Sequence, residues 1–235
     1  MQGSTASTTR RTRGKAPPNG GTTIPSLAVG LVEKVVIRPP NFQSGVINIK
    51  GVSPYLGNRF TEKAIRKIEE TQREGDRARN RRRRESRDFE GDVEAAKHIA
   101  AEGWCGIPAA AFRNALISAC KVAGFAMTRA KLTIFVIPDG FDAIDGMPLV
   151  KISGQPKTHK SFGRNDNGSI DLRWRPVWPQ WSCALGLRWD ADQFSVSDVV
   201  NLTARAGLQV GVGEGRPDSR DSNGLGLGLW EIQQS

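Results

Sequence analysis

The chain predicts an α+β domain, and three features of its 235 residues point to that class. Glycine-bounded runs rich in β-branched residues recur along it. Amphipathic helical patterns lie between those runs. The order in which the two kinds of segment alternate condenses to β-α-β-β-α-β once insertions are set aside, the ferredoxin-like (RRM-like) arrangement.

Residues 1–25 are rich in Ser, Thr and Gly and carry Arg10, Arg11, Arg13 and Lys15, which predicts a disordered basic arm. Residues 26–235 then form a single domain, with an arginine-rich insertion at 73–90 and a basic one at 154–168. Leu27 to Ile37 is apolar and stops before Pro39-Pro40, as a strand would. Residues 45–51 (GVINIKG) alternate in part with period two, the pattern of a half-buried strand. Ser53-Pro54-Tyr55 breaks it, and Ala64, Ile65 and Ile68 predict a helix from about Thr61.

That helix runs into Arg81, Arg82, Arg83 and Arg84, which have few apolar neighbours to pack on a core. Val93, Ala96, Ile99 and Ala100 continue a helical period to Gly103, and His98 falls within it as a structural residue. Pro108 suits the first turn of the next helix; Ala111, Ala115, Leu116, Ala119 and Val122 line one face before Gly124 ends it. Residues 131–137 (KLTIFVI) and 149–152 predict strands. The polar stretch 154–168 is a loop or an exposed hairpin, and 170–190 holds two strands divided by Pro176 and Pro179. Ser195-x-x-Asp198 opens a helix to Ala206 in the manner of a capping box, with Val196, Val199, Val200 and Leu202 on its buried side. A glycine loop (GVGEGRP, 211–217) follows, and 225–232 makes the last strand.

Lys and Arg number 34 against 24 acidic residues, giving a net charge of +10 and a pI near 10.0. Such a balance predicts a polyanionic partner, with nucleic acid ahead of an anionic membrane surface. Cys105, Cys120 and Cys183 are odd in number and widely spaced, which favours neither disulfides nor zinc. No apolar run reaches membrane-spanning length, and the N-terminus lacks the apolar core of a signal peptide. The expectation is a cytoplasmic protein without membrane contact, metal or cofactor.

Several groups are candidates for contact with nucleic acid. The clustered guanidiniums of Arg81 to Arg84 can displace counterions from a phosphate backbone. Lys157, Lys160 and Arg164 make the 154–168 insertion basic. Around Trp174, Arg173 and Arg175 alternate with the ring, so in a strand the ring and the arginines point to opposite faces. Tryptophan more often belongs to the core. Gly211, Gly213 and Gly215 let backbone N–H groups approach a phosphate, and Arg216 can pair with it. Asp139, Asp142 and Asp145 have a spacing loosely suited to a cation, yet they lie in a turn, where aspartates serve local hydrogen bonds. No P-loop, Ser-His-Asp pattern or dinucleotide fingerprint is present. His159, between Lys157 and Lys160, is the one candidate general base.

Gly211-Val-Gly213-Glu-Gly215-Arg216 and Gly224-Leu-Gly226-Leu-Gly228, lying between the last helix and the last strand, resemble the glycine-rich loop of the RAMP superfamily. These are the ferredoxin-like proteins that build and process CRISPR RNA complexes. IKGVSPYL (49–56) is similar to the strand-end segment of the backbone subunits that coat guide RNA, and to phage proteins of similar size. The resemblance spans roughly 32–232 on two short stretches, and the short chain with its compressed 154–168 insertion departs from those subunits. It implies a stand-alone, phage-encoded relative. The expected function is non-catalytic binding of single-stranded nucleic acid, RNA or DNA, with assembly into a homo-oligomer or filament along the strand. Two alternatives stand beside it. One is a virion structural protein whose basic arm touches packaged genome. The other is a metal-independent endoribonuclease using His159, as processing members of the superfamily use a histidine for cleavage by the RNA 2′-hydroxyl.

Overall fold

A computed structural model describes residues 37–59, 69, 88–164, 170–219 and 225–233. The chain divides into two units, Met1–Arg38 and Pro39–Ser235. In the first, the two described residues, Ile37 and Arg38, are irregular. The second is a mixture of helices and antiparallel sheets, which makes the domain α+β.

Among the described residues the strands form three small sheets. The first runs β11-β1-β10-β5: β1 is Phe42–Gly51, β5 Ile134–Ile137, β10 Ser182–Asp190 and β11 Trp230–Ile232, all antiparallel to their neighbours. The second, β2-β9-β8, comprises Tyr55–Leu56, Ile170–Trp178 and Lys157–Arg164. The third, β3-β4-β7-β6, comprises His98–Ile99, Cys105–Pro108, Pro148–Lys151 and Gly140–Phe141. The helices named among the described residues are α1 Phe89–Ala95, α2 Ala109–Val122, α3 Met127–Thr133 and α4 Val196–Arg205.

The strongest patterns of the sequence become the central elements. β10 alternates buried and open residues along its length, with Cys183, Leu185, Leu187 and Trp189 turned inward. Ile49 on β1, Ile134 on β5 and Trp230 on β11 join them on the same face. α2 lays Phe112, Ala115, Leu116 and Ala119 into this core, and Phe112 meets Trp230 edge to face at 5.6 Å. The Ser195–Asp198 capping box of α4 is complete: Ser195 Oγ accepts from the Asp198 amide, and the Asp198 carboxylate accepts from the Ser195 amide.

Other expectations need correction. The helical period to Gly103 stops at Ala95, and His98 lies in β3, because Gly106 and Cys105 pair with that segment as a sheet. The strand expected from Lys131 begins at Ile134, since α3 occupies the preceding residues and Thr133 Oγ1 bonds back to Arg129 and Ala130 carbonyls. Val122, Val196 and Val200 are exposed, not buried. Helix α4 continues as a π-helical turn, Ala206–Val210, which nothing in the pattern announced. Pro176 lies within β9 and does not divide it; the break falls at Pro179 and Gln180. The last strand is only Trp230–Ile232, and 225–229 is irregular. The expected strand at 27–36 and the expected helix from about Thr61 to Ile68, like Arg81 to Arg84, lie outside the described residues.

Candidate nucleic-acid interface

The stretch 154–168 contributes β8, which pairs with β9 as a hairpin in the register Lys157↔Val177, His159↔Arg175, Lys160↔Trp174 and Ser161↔Arg173. Directly opposed residues share a face, and successive ones alternate. Lys157, His159, Arg173 and Arg175 therefore stand together on one face, with Lys157 and His159 outside the core. Lys160 and Trp174 stand on the other.

The second face is a packed one. The Trp174 ring lies 5.0 Å from that of Phe89 on α1, nearly parallel to it, and Lys160 Nζ sits 4.0 Å above the Trp174 ring. Pro176 and Trp178 continue this face into the core. Trp174 thus covers the α1 side, and the arginines that flank it turn away from it. Trp178, Trp181 and Trp189 are buried, so these rings are core. Arg164 ends β8, paired with Ile170.

The glycine loop meets the cationic face. Arg175 Nε is 2.5 Å from the Glu214 carboxylate, and the Glu214 amide donates to the Leu56 carbonyl of β2. Gly211, Gly213 and Gly215 all have positive φ. At Gly213 a Cβ would come within 2.7 Å of Leu56 O and 2.6 Å of the Tyr55 ring, so only glycine allows the loop to lie against β2. The amides of Val212, Glu214, Leu227 and Gly228 donate to the carbonyls of Gly228, Leu56, Gly215 and Pro54. These four donors are committed within the protein. Arg216 likewise folds back, its Nη1 donating to Gly213 O at 3.1 Å.

A second polar cluster lies in and beside the third sheet. His98 Nδ1 is 2.9 Å from Asp142 Oδ2, and Arg59 Nη2 is 3.4 Å from Asp142 and 3.3 Å from Asp145. Burial works to raise the Asp142 pKa, but amide bonds from Ile144 and Asp145, His98 and the Arg59 charge outweigh it and hold the carboxyl below its ordinary value. Ligand atoms of His98, Asp142 and Asp145 lie within 4.8 Å of one another, a spacing open to a cation, but the Arg59 guanidinium already supplies the positive charge. Asp145 accepts from the Met147 amide, the local turn bonding that aspartates favour, and Asp139 accepts from the Lys151 amide across to β7. Burial pushes all three thiols up, which leaves none as a ready nucleophile.

No family model matches the chain, and no curated protein matches it in sequence. No helix among the described residues is long and apolar enough to cross a membrane.

Proposed function

We propose that this protein binds single-stranded nucleic acid without catalysis, through the cationic face of the β8–β9 hairpin. The observation that carries the reading is the register that gathers Lys157, His159, Arg173 and Arg175 on one face beside the glycine loop. Phosphates are attracted to such a row because each neutralised charge releases a condensed counterion. The net charge of +10 adds long-range attraction to the same partner. Glu214 holds Arg175 in place on that face, so the glycine loop acts on the ligand by shaping the surface.

The domain is read as ferredoxin-like. Its first sheet takes the strands β1, β5, β10 and β11 in the spatial order β11-β1-β10-β5. Numbered one to four along the chain, with α2 after the first and α4 after the third, these strands lie in the order 4-1-3-2. The glycine segment then lies between the last helix and the last strand of the unit, which supports the resemblance to the RAMP superfamily. Assembly along a strand belongs to the same proposal.

Fluorescence anisotropy with a labelled oligothymidylate and a matching oligouridylate, at several salt concentrations, tests the function. The expected outcome is an affinity that falls steeply and log-linearly with salt, with a slope of about 0.7 per phosphate neutralised. Salt-insensitive binding, or none, contradicts the reading. The RNA probe should be recovered intact; cleavage that disappears in His159→Ala would make the protein an endoribonuclease instead.

A further inference from the structure

The geometry points to a second contact surface for the same ligand: we infer that the open face of the first sheet is a base-stacking platform built by Phe42, Phe135 and Arg188. This rests on the function proposed for the hairpin and adds to it the part of the molecule that takes the bases.

Strand alternation leaves this face outside the core. Ile49, Leu185, Leu187, Trp189 and Ile134 point inward and are buried. The residues between them point out: Phe42 is 41% exposed, Val46 68% and Ile137 43%, and Arg188 is also exposed. Phe42 is on β1 and Phe135 on β5, with β10 between them, and Arg188 is paired with Phe135 across strands. The two rings meet edge to face at 5.8 Å, and the Arg188 guanidinium carbon lies 5.0 Å from one ring centroid and 5.2 Å from the other. A planar cation is therefore held among two aromatic rings on a rigid, register-locked surface. The strip beside it is low, formed by Ser44, Ala184 and Gly186, with Val46 and Ile137 flanking Gly186.

Those are the elements that hold an unpaired strand. A base lies on an aromatic or guanidinium plane, small neighbours leave it room, and a cation answers the phosphate beside it. Arg188 and Lys50 supply the charge of the face, with Asp190 and Glu231 across from Phe42 and Lys50 at opposite ends. A duplex cannot use the platform, because its bases are already stacked and paired. The face therefore gives the protein its preference for single strands, while the hairpin supplies affinity that a duplex shares.

The test uses the full chain and anisotropy with an oligothymidylate and a duplex of equal length. Leucine keeps the apolar cover of the sheet and removes the π face, so the variant is Phe42→Leu with Phe135→Leu. It should weaken single-strand binding by about tenfold or more, leave duplex affinity unchanged and leave the salt slope unchanged. If the wild type binds and the variant binds single strands equally well, this inference fails and the function stands. Equal losses for single strand and duplex also overturn it. Failure of the wild type to bind either probe overturns the function and this inference with it. Should the variant not fold, photocross-linking of the wild type to a 5-bromouracil oligomer decides: adducts on the peptides holding Phe42 or Phe135 support the platform, and adducts confined elsewhere refute it.

Discussion

At Gly228 a Cβ would fall 1.7 Å from the Val212 carbonyl oxygen, on a backbone with φ of +68°. Both the clash and the left-handed conformation exclude a side chain there. Gly228→Ala should therefore cost at least about 2 kcal/mol of stability, read from urea unfolding. Asp142 makes a different prediction. Its side chain is buried between Arg59 and His98, so Asp142→Asn leaves the buried guanidinium with Asp145 alone and removes the charged acceptor beside His98, at a cost on the order of 2 kcal/mol by the same measurement. The pH dependence follows from its depressed pKa. A carboxyl with a folded pKa below its unfolded one contributes stability that is present above the unfolded value and lost as pH falls through the folded one. Acidification through that window should erode the wild type more than Asp142→Asn. These buried partners were not visible in the sequence. The turn aspartates were, because Asp before and after glycine bonds its own backbone, but Arg59 is 83 residues from Asp142 and no local pattern joins them.

Among the elements, α4 is the one most fully written in local sequence. Ser195 and Asp198 satisfy each other's amides, and Ser195→Ala should cost about 1 kcal/mol in thermal or chemical unfolding. Its length was less legible. The chain continues into the π-helical turn because Gly207 packs against Trp230, where a Cβ would lie 2.2 Å from the Trp230 carbonyl oxygen. That is a tertiary contact, and periodicity carries no trace of it. The same holds for KLTIFVI, whose β-branched residues suggested a strand throughout. Lys131 to Thr133 instead close α3, where Arg113 from α2 donates to the Lys131 and Ile134 carbonyls. The hairpin of β8 and β9 was one of two alternatives for its stretch. Once it forms, its register decides which of the basic residues can act together, and that was not legible: Lys157 and Lys160 looked equivalent, yet they occupy opposite faces. Phe42 and Phe135 carry no local signal in the sequence, since only sheet pairing brings residues 93 apart into one aromatic cluster.

At the scale of the molecule, the mixture of strands and helices was readable because apolar runs bounded by Gly or Pro recur along the chain, and the core forms where those runs meet. In the second and third sheets β7 and β9 match expected strands, whereas two-residue strands such as Tyr55–Leu56 and Gly140–Phe141 have no periodicity to read. The second sheet carries the cationic hairpin of the proposed function, and its β2 receives the glycine loop. In the proposed function, binding is divided between two surfaces, a cationic hairpin face for phosphates and an aromatic sheet face for bases. The aromatic face depends on the hairpin, because only a bound strand can bring its bases there. The role of the hairpin is tested most directly by comparing charge reversal on its two sides, using oligothymidylate affinity as a function of salt. Lys157→Glu with Arg173→Glu should lower affinity by more than about tenfold and shrink the salt slope by about 0.7 for each phosphate no longer neutralised. Lys160→Glu, on the face packed by Trp174 and Phe89, should change both far less. Equal effects from the two variants, or a larger one from Lys160→Glu, would contradict the assignment.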